Sequence, residues 1–285
     1  MDTSHTKIFL DSGNPEDTKD IIKKFNALKG QTTNPSLVAK HPQIQERIAQ
    51  ESLSEGDILD MYKSIIQELR EILPDGSISI EVYADHDTSA ETMYAQAREM
   101  NTWIDNAHIK LPITSAGLEV AHRLVREGIQ VNMTLCFTQE QAIAVHRATI
   151  GAQPGQVYIS PFVGRLDDIG QQGTDLVAAI LKHYAHIQSH VSVLGASIRS
   201  LNHMNDLLEM KTPLVTVPKN ILDLWIESNH KDQPQHVSED QSGKVPITFQ
   251  DINYDQTWNA YNISADLTDK GLQKFAEDWK KLFTK

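Results

Sequence analysis

Short apolar, β-branched runs alternate along the chain with stretches in which apolar residues recur at helical spacing, the pattern of strands alternating with amphipathic helices. The first run, over 7–10, ends in Asp11-Ser12-Gly13-Asn14-Pro15 and predicts a strand followed by a helix over 16–28, which Gly30 stops. A second strand, Gly30-Gln31-Thr32-Thr33, runs into Asn34-Pro35-Ser36-Leu37. Ile58, Tyr62, Ile65, Ile66, Leu69, Ile72 and Leu73 then mark a long amphipathic helix, with Asp57 as its expected cap and Pro74-Asp75-Gly76 at its end. Further strands are expected over 77–83, 107–114, 130–137, 156–162, 191–196 and 213–217. Helices fall over 115–127, from 138 to near Gly151, over 174–189, through Met204 and Leu208, and through Ile221, Leu224 and Trp225. Thr88-Ser89-Ala90-Glu91 and Thr138-Gln139-Glu140-Gln141 have capping-box form and open the helices that follow them.

Eight such strands, each followed by a helix, predict an α/β protein built as a single (β/α)8 TIM barrel over residues 1–285, rather than an open doubly wound sheet. Residues 229–242 are polar and read as a loop. From 266 to 285 helical spacing returns through Leu272, Phe275, Ala276, Trp279, Leu282 and Phe283, which predicts an additional C-terminal helix docked outside the barrel.

Composition narrows the function. With 40% hydrophobic and 22% charged residues the chain is ordinary for a globular protein. No apolar run approaches the roughly 18 residues of a membrane span, and the first residues lack a signal-peptide pattern, so no membrane partner and a cytoplasmic location are expected. Cys136 is the only cysteine, which excludes an intramolecular disulfide; it is expected to pack as a small buried hydrophobe. The net charge of −12 argues against a nucleic-acid partner. It also sets a condition: an anionic substrate needs arginines that make a local positive site. His183, His186 and His190 share one helix face, but no carboxylate or cysteine joins them and that helix lies outside the barrel, so no metal is expected.

In TIM barrels the active site lies at the C-terminal ends of the strands. The predicted ends carry Asp11, Thr33 with Asn34, Glu81, Lys110, Asn132 with Thr134, Ser160 with Arg165, and Ser197 with Arg199. Lys110 interrupts the apolar run Ala107-His108-Ile109-Lys110-Leu111-Pro112. Taking an ammonium out of water favours the neutral amine, the nucleophile of Schiff-base chemistry. A lysine imine of a ketone is an electron sink for an adjacent carbanion. Cleaving the neighbouring carbon–carbon bond needs a base on a hydroxyl, which Asp11 can supply, and Glu81 can manage the protons of imine formation. Arg165 and Arg199 offer planar donors suited to phosphate. The set selects a phosphorylated polyhydroxy ketone, cleaved or transferred through a lysine imine. Asp167 and Asp168 are expected to pair with Arg165 or to cap the next helix.

Four motifs then carry a resemblance. Gly30-Gln31-Thr32-Thr33-Asn34-Pro35-Ser36-Leu37, Ile109-Lys110-Leu111-Pro112, Tyr158-Ile159-Ser160-Pro161-Phe162-Val163-Gly164-Arg165 and Gly195-Ala196-Ser197-Ile198-Arg199 resemble, in this order, the signatures of the transaldolase family. The resemblance implies that Lys110 forms the Schiff base, Asp11 acts on the C4 hydroxyl, and Glu81 with Thr134 holds a catalytic water. It implies substrate contacts from Asn34, Asn132, Thr33 and Phe162, and a phosphate site of Ser160, Arg165, Ser197 and Arg199. The implied reaction moves a dihydroxyacetone unit from sedoheptulose 7-phosphate or fructose 6-phosphate to erythrose 4-phosphate or glyceraldehyde 3-phosphate, as in the pentose phosphate pathway, with no metal or organic cofactor. Fructose 6-phosphate aldolases share the fold and lysine but tend to have glutamine where Glu81 stands and tyrosine where Phe162 stands, so this chain leans toward transfer. A barrel that only binds sugar phosphates would have no use for Lys110. Sugar phosphates are the expected partners, and a homo-oligomer is left open.

Overall fold

The computed structural model describes residues 5–229 and 243–283. The chain begins β1 (Lys7–Asp11), α1 (Pro15–Lys24), β2 (Gly30–Thr32), α2 (Pro35–Ala39), α3 (Pro42–Gln50), α4 (Glu55–Ile72) and β3 (Ser77–Glu81). It continues through α5 (Ala90–Met100), β4 (Ala107–Pro112), α6 (Ser115–Arg126), β5 (Gln130–Cys136), α7 (Gln139–Ala148) and β6 (Val157–Pro161). The remainder is α8 (Val163–Asp167), α9 (Gly173–His186), β7 (Ser192–Gly195), α10 (Leu201–Glu209), β8 (Leu214–Pro218), α11 (Lys219–Asn229) and α12 (Asp266–Lys280). All strand pairs are parallel and follow chain order, and β8 closes on β1. This is the (β/α)8 barrel that the alternating rhythm predicts.

The strands read as unbroken apolar runs because both faces are covered, yet period two survives in the packing. Ile8, Leu10, Ile78, Ile80, Ile109 and Leu111 join the buried helix residues in one large outer core. Phe9, Tyr158, Leu194 and Leu214 form a separate cluster inside the barrel, where His108 stacks on Tyr158 at 4.0 Å. One layer nearer the C-terminal ends, the positions of the same parity are polar: Asp11, Thr32, Lys110, Asn132, Ser160 and Thr216. An apolar floor thus carries a polar mouth.

Helix starts depart from expectation where polar residues compete. Ser54, not Asp57, caps α4; Asp57 is its capping-box partner and accepts from the Ser54 N–H at 2.8 Å. The apolar stripe begins at Ile58, one turn later than the helix. Ser89 caps α5, because the Thr88 hydroxyl is taken by Asp85 in the preceding turn. The box at Thr138 and Gln141 forms as expected. The short helices α2, α3 and α8 are too brief to establish a period in the sequence; Pro35 and Pro42 mark the starts of the first two.

The C-terminal helix is the main correction. It does not dock outside the barrel but lies across its mouth. Thr268 donates to the Leu135 carbonyl at 2.9 Å, at a bulge of β5 where Leu135 adopts φ 62°. At the other end Ser36 donates to Asp278 at 2.5 Å, tying α12 to α2. Of the loop expected over 229–242, Asn229 ends α11 and the rest lies outside the described residues. Among the described residues no helix is long and apolar enough to cross a membrane.

Candidate active site

Strand register builds the centre. Glu81 of β3 pairs with Lys110 of β4, and Lys110 with Asn132 of β5, so the three side chains form one row on the inner wall. Lys110 Nζ lies 2.8 Å from Glu81 Oε2, with side chains only 5% and 4% exposed. Nζ also donates to the Thr33 carbonyl at 3.3 Å and lies 5.9 Å from the centroid of the Phe275 ring. Asn132 is locked on both sides, donating to Ser79 Oγ at 3.1 Å and accepting from Ser160 Oγ at 2.7 Å. Thr134 Oγ1 is buried in the same wall and has no hydrogen-bond partner among the described residues.

Asp11 ends β1 and accepts from Thr32 Oγ1 at 2.7 Å; that hydroxyl lies 2.6 Å from Thr216 Oγ1. Burial raises the Asp11 pKa above the usual aspartate value, against the opposing pull of Lys110 and the Thr32 hydroxyl. Burial likewise raises Glu81, opposed chiefly by Lys110 and more weakly by Arg165. Two carboxyls therefore share one ammonium in a site where ionising both is disfavoured, a condition suited to moving protons. Tyr62 of α4 braces the row from outside: its oxygen accepts from the Glu81 N–H at 3.1 Å and lies 2.6 Å from Thr33 Oγ1.

The second half of the site comes from the loops after β6 and β7. The Arg165 guanidinium lies 5.1 Å from the Phe162 ring centroid and 5.2 Å from that of Phe275. The Gly164 N–H donates to the Ser197 carbonyl at 3.0 Å, and a Cβ at Gly164 would come within 2.4 Å of that oxygen. Only glycine lets the two loops approach so closely. Ser197 adopts φ 58°, a left-handed conformation. Arg199, not Arg165, pairs with Asp168. Asp167 accepts from the Gly173 N–H at 2.8 Å at the start of α9, and it also binds His203 and Lys244.

A cavity of about 890 Å³ joins these halves. Of the residues expected there, Asp11, Asn34, Lys110, Ser160, Phe162, Arg165, Ser197 and Arg199 line it. Asn34 also caps α2, accepting from the Leu37 N–H at 2.9 Å. Glu81 and Asn132 stand behind that surface, in contact with it through Lys110 and Ser160, and Thr134 does not line it. Thr33 turns its hydroxyl outward to Tyr62 and the Ser79 carbonyl and offers the site only its backbone oxygen.

Sequence reasoning missed Thr32 and Thr216, which alternation within their strands could have found. It also missed Ser36, Lys40, Lys274, Phe275 and Lys281, which reach the cavity from α2 and the α12 region. A usable signal was Gly271 inside a helix, where a Cβ would meet Arg165 and Leu135 at 2.6 Å. With four lysines and two arginines against Asp11 and Asp278, the mouth is locally positive despite the net charge of −12, which meets the condition set for an anionic substrate.

The histidines and the cysteine have other employment. His183 Nε2 lies 2.9 Å from Gln139 Oε1 and its Nδ1 2.7 Å from the Tyr254 hydroxyl. Burial pushes the Cys136 thiol up to about 12, which suits a packed side chain rather than a nucleophile.

A sequence model described as transaldolase/fructose-6-phosphate aldolase matches residues 8–285. A probable transaldolase of Dehalococcoides mccartyi is 37% identical over 216 residues, covering 76% of this chain and 88% of that protein. One of Bartonella henselae is 33% identical over 275 residues, 96% of this chain and 97% of its own length. One of Methanococcus maripaludis is 32% identical over 277 residues, with the same two shares, 96% and 97%. The match along the barrel and its mouth-covering helix, together with these near-full-length relatives, means that the chain belongs to the transaldolase/fructose-6-phosphate aldolase family.

Proposed function

We propose that the protein is a transaldolase that carries a dihydroxyacetone unit on Lys110, taking it from fructose 6-phosphate or sedoheptulose 7-phosphate and passing it to an aldose phosphate. The observation that carries this reading is the buried Lys110–Glu81 pair at 2.8 Å, whose lysine lines the same cavity as Asp11. Lys110 passes a proton to Glu81 and attacks the ketose C2 as the amine. The protonated Glu81 then returns that proton to the departing hydroxyl, so water leaves and an iminium forms. Asp11 removes the proton of the C4 hydroxyl, the C3–C4 electrons flow into the iminium, and the first aldose leaves. The enamine that remains on Lys110 adds to the acceptor aldehyde, whose oxygen recovers the proton from Asp11. Hydrolysis of the new imine releases the product, with Glu81 and the Thr134 hydroxyl holding the water. Arg165, Arg199, Ser160 and Ser197 receive the phosphate.

Transfer is favoured over simple cleavage because a carboxylate, Glu81, faces the lysine and Phe162, lacking a hydroxyl, lines the cavity. Borohydride reduction with fructose 6-phosphate tests the chemistry: a dihydroxyacetone-sized adduct is expected on Lys110, and its absence removes the imine mechanism. Product analysis tests the class. With fructose 6-phosphate and erythrose 4-phosphate, sedoheptulose 7-phosphate is expected; fast release of free dihydroxyacetone without acceptor overturns transfer in favour of aldolase activity.

A further inference from the structure

Behind the loop that carries Arg199 lies a buried polar chain that none of the roles above uses. His203, in the first turn of α10, has a side chain only 5% exposed; its Nε2 lies 2.8 Å from Asp167 Oδ2. Its other nitrogen, Nδ1, lies 3.3 Å from the backbone nitrogen of Arg199. The Arg199 N–H can only donate, so Nδ1 carries no proton and the neutral ring holds its proton on Nε2, which donates to Asp167. Burial works against the Asp167 charge, but Lys244, the Gly173 N–H and His203 outweigh it and hold the carboxyl below the usual range. The carboxylate is the acceptor at the far end of the chain. Asp167 follows Arg165 by two residues in α8, so the chain ties the β6 loop to the β7 loop through side chains, beside the Gly164–Ser197 backbone bond.

We infer that Asp167 and His203 form a positioning pair, which sets the β7 loop against α8 so that Arg165 and Arg199 are spaced to hold one phosphate group. The inference rests on the phosphate role proposed above for the two arginines. Neither Asp167 nor His203 lines the cavity; both act through Arg199 and its loop. Preorganised donors bind a dianion without reordering the loop first, so loosening the pair weakens phosphate binding while the strand-borne imine chemistry keeps its geometry.

The test compares a phosphorylated with an unphosphorylated ketose. In His203→Ala, KM for fructose 6-phosphate is expected to rise about tenfold with kcat within about twofold, the signature of lost binding rather than lost chemistry. Borohydride trapping of unphosphorylated dihydroxyacetone on Lys110 is expected to stay at the native level. His203→Asn, whose side-chain oxygen can replace Nδ1 as acceptor for the Arg199 N–H, is expected to recover most of the KM. Equal losses for both ketoses in both variants, or no change in either, overturn the inference. Calorimetric titration with inorganic phosphate provides a readout independent of turnover: a weaker Kd in His203→Ala is expected, and an unchanged Kd overturns the pairing. If native protein traps no ketose at all, the imine reading fails, and the titration still decides the role of His203.

Discussion

The two halves of the site are built differently. The half proposed to carry the imine, Asp11, Glu81, Lys110 and Asn132, sits on strands β1, β3, β4 and β5, is fixed by ladder register and is largely sealed. The half proposed to bind the anion, Arg165, Ser197 and Arg199, sits just past β6 and β7, on the short helix α8 and on a loop with one left-handed serine, and its Arg199–Asp168 pair is about half exposed, at 48% and 50%. The first half holds few charges in a tight, poorly solvated wall, where small displacements change proton affinities. The second presents several donors to a group that arrives from water. Reaction steps need the rigidity of the first; recognition of a phosphate tolerates, and needs help to organise, the second.

This division can be broken by substitution. Lys110→Ala is expected to lower turnover by about a thousandfold or more, as removal of a covalent nucleophile does. Inorganic phosphate should still bind within a few-fold; a parallel loss of phosphate binding would join the two halves into one unit. Asp11→Asn is expected to reduce turnover by roughly 10²–10⁴-fold, the range for a positioned base, while borohydride still traps an adduct on Lys110. Because Asp11 must be ionised to act and burial raises its pKa, activity should fall with decreasing pH through a midpoint above about 3.9, the ordinary aspartate value. A limb at or below that value contradicts the burial argument.

Arg165→Lys keeps the charge but removes the fork between the two aromatic rings. It is expected to raise KM for fructose 6-phosphate about 10–100-fold, equivalent to losing charge-assisted hydrogen bonds, with trapping of dihydroxyacetone unchanged. A fall in trapping would show that Arg165, which also acts on the Glu81 charge, belongs to the imine half. The smallest expected readout is a product ratio: Glu81→Gln, which also slows turnover by removing the proton shuttle, is expected to shift the ratio a few-fold toward free dihydroxyacetone, read by chromatography. An unchanged ratio removes Glu81 from the choice between transfer and cleavage.

Most of the imine half was legible in the sequence, and the reason is geometric. In a parallel barrel, polar residues near strand ends fall on one rim, so Asp11, Glu81, Lys110 and Asn132 could be grouped without knowing a single distance. Thr33 shows the limit. It stands beside Asn34 at a strand end, yet period two turns its hydroxyl to Tyr62 and leaves Thr32 facing the cavity. The anion half was legible in its arginines but not in their partners. Asp167 and Asp168 look equivalent beside Arg165, and only the loop geometry sends one to His203 and the other to Arg199.

What the sequence by itself determined is therefore the periodic part: eight βα units, their order, and the residue types that reach the rim. Local spacing encodes these because strands and helices have fixed repeats. What only the tertiary structure decided is the placement of α12 across the mouth, with Phe275 against Lys110 and Arg165, and the polar chain from Asp167 to Arg199. The α12 contacts and the Asp167–His203 link join residues far apart in the chain, and no local repeat records which distant surface an amphipathic helix will cover.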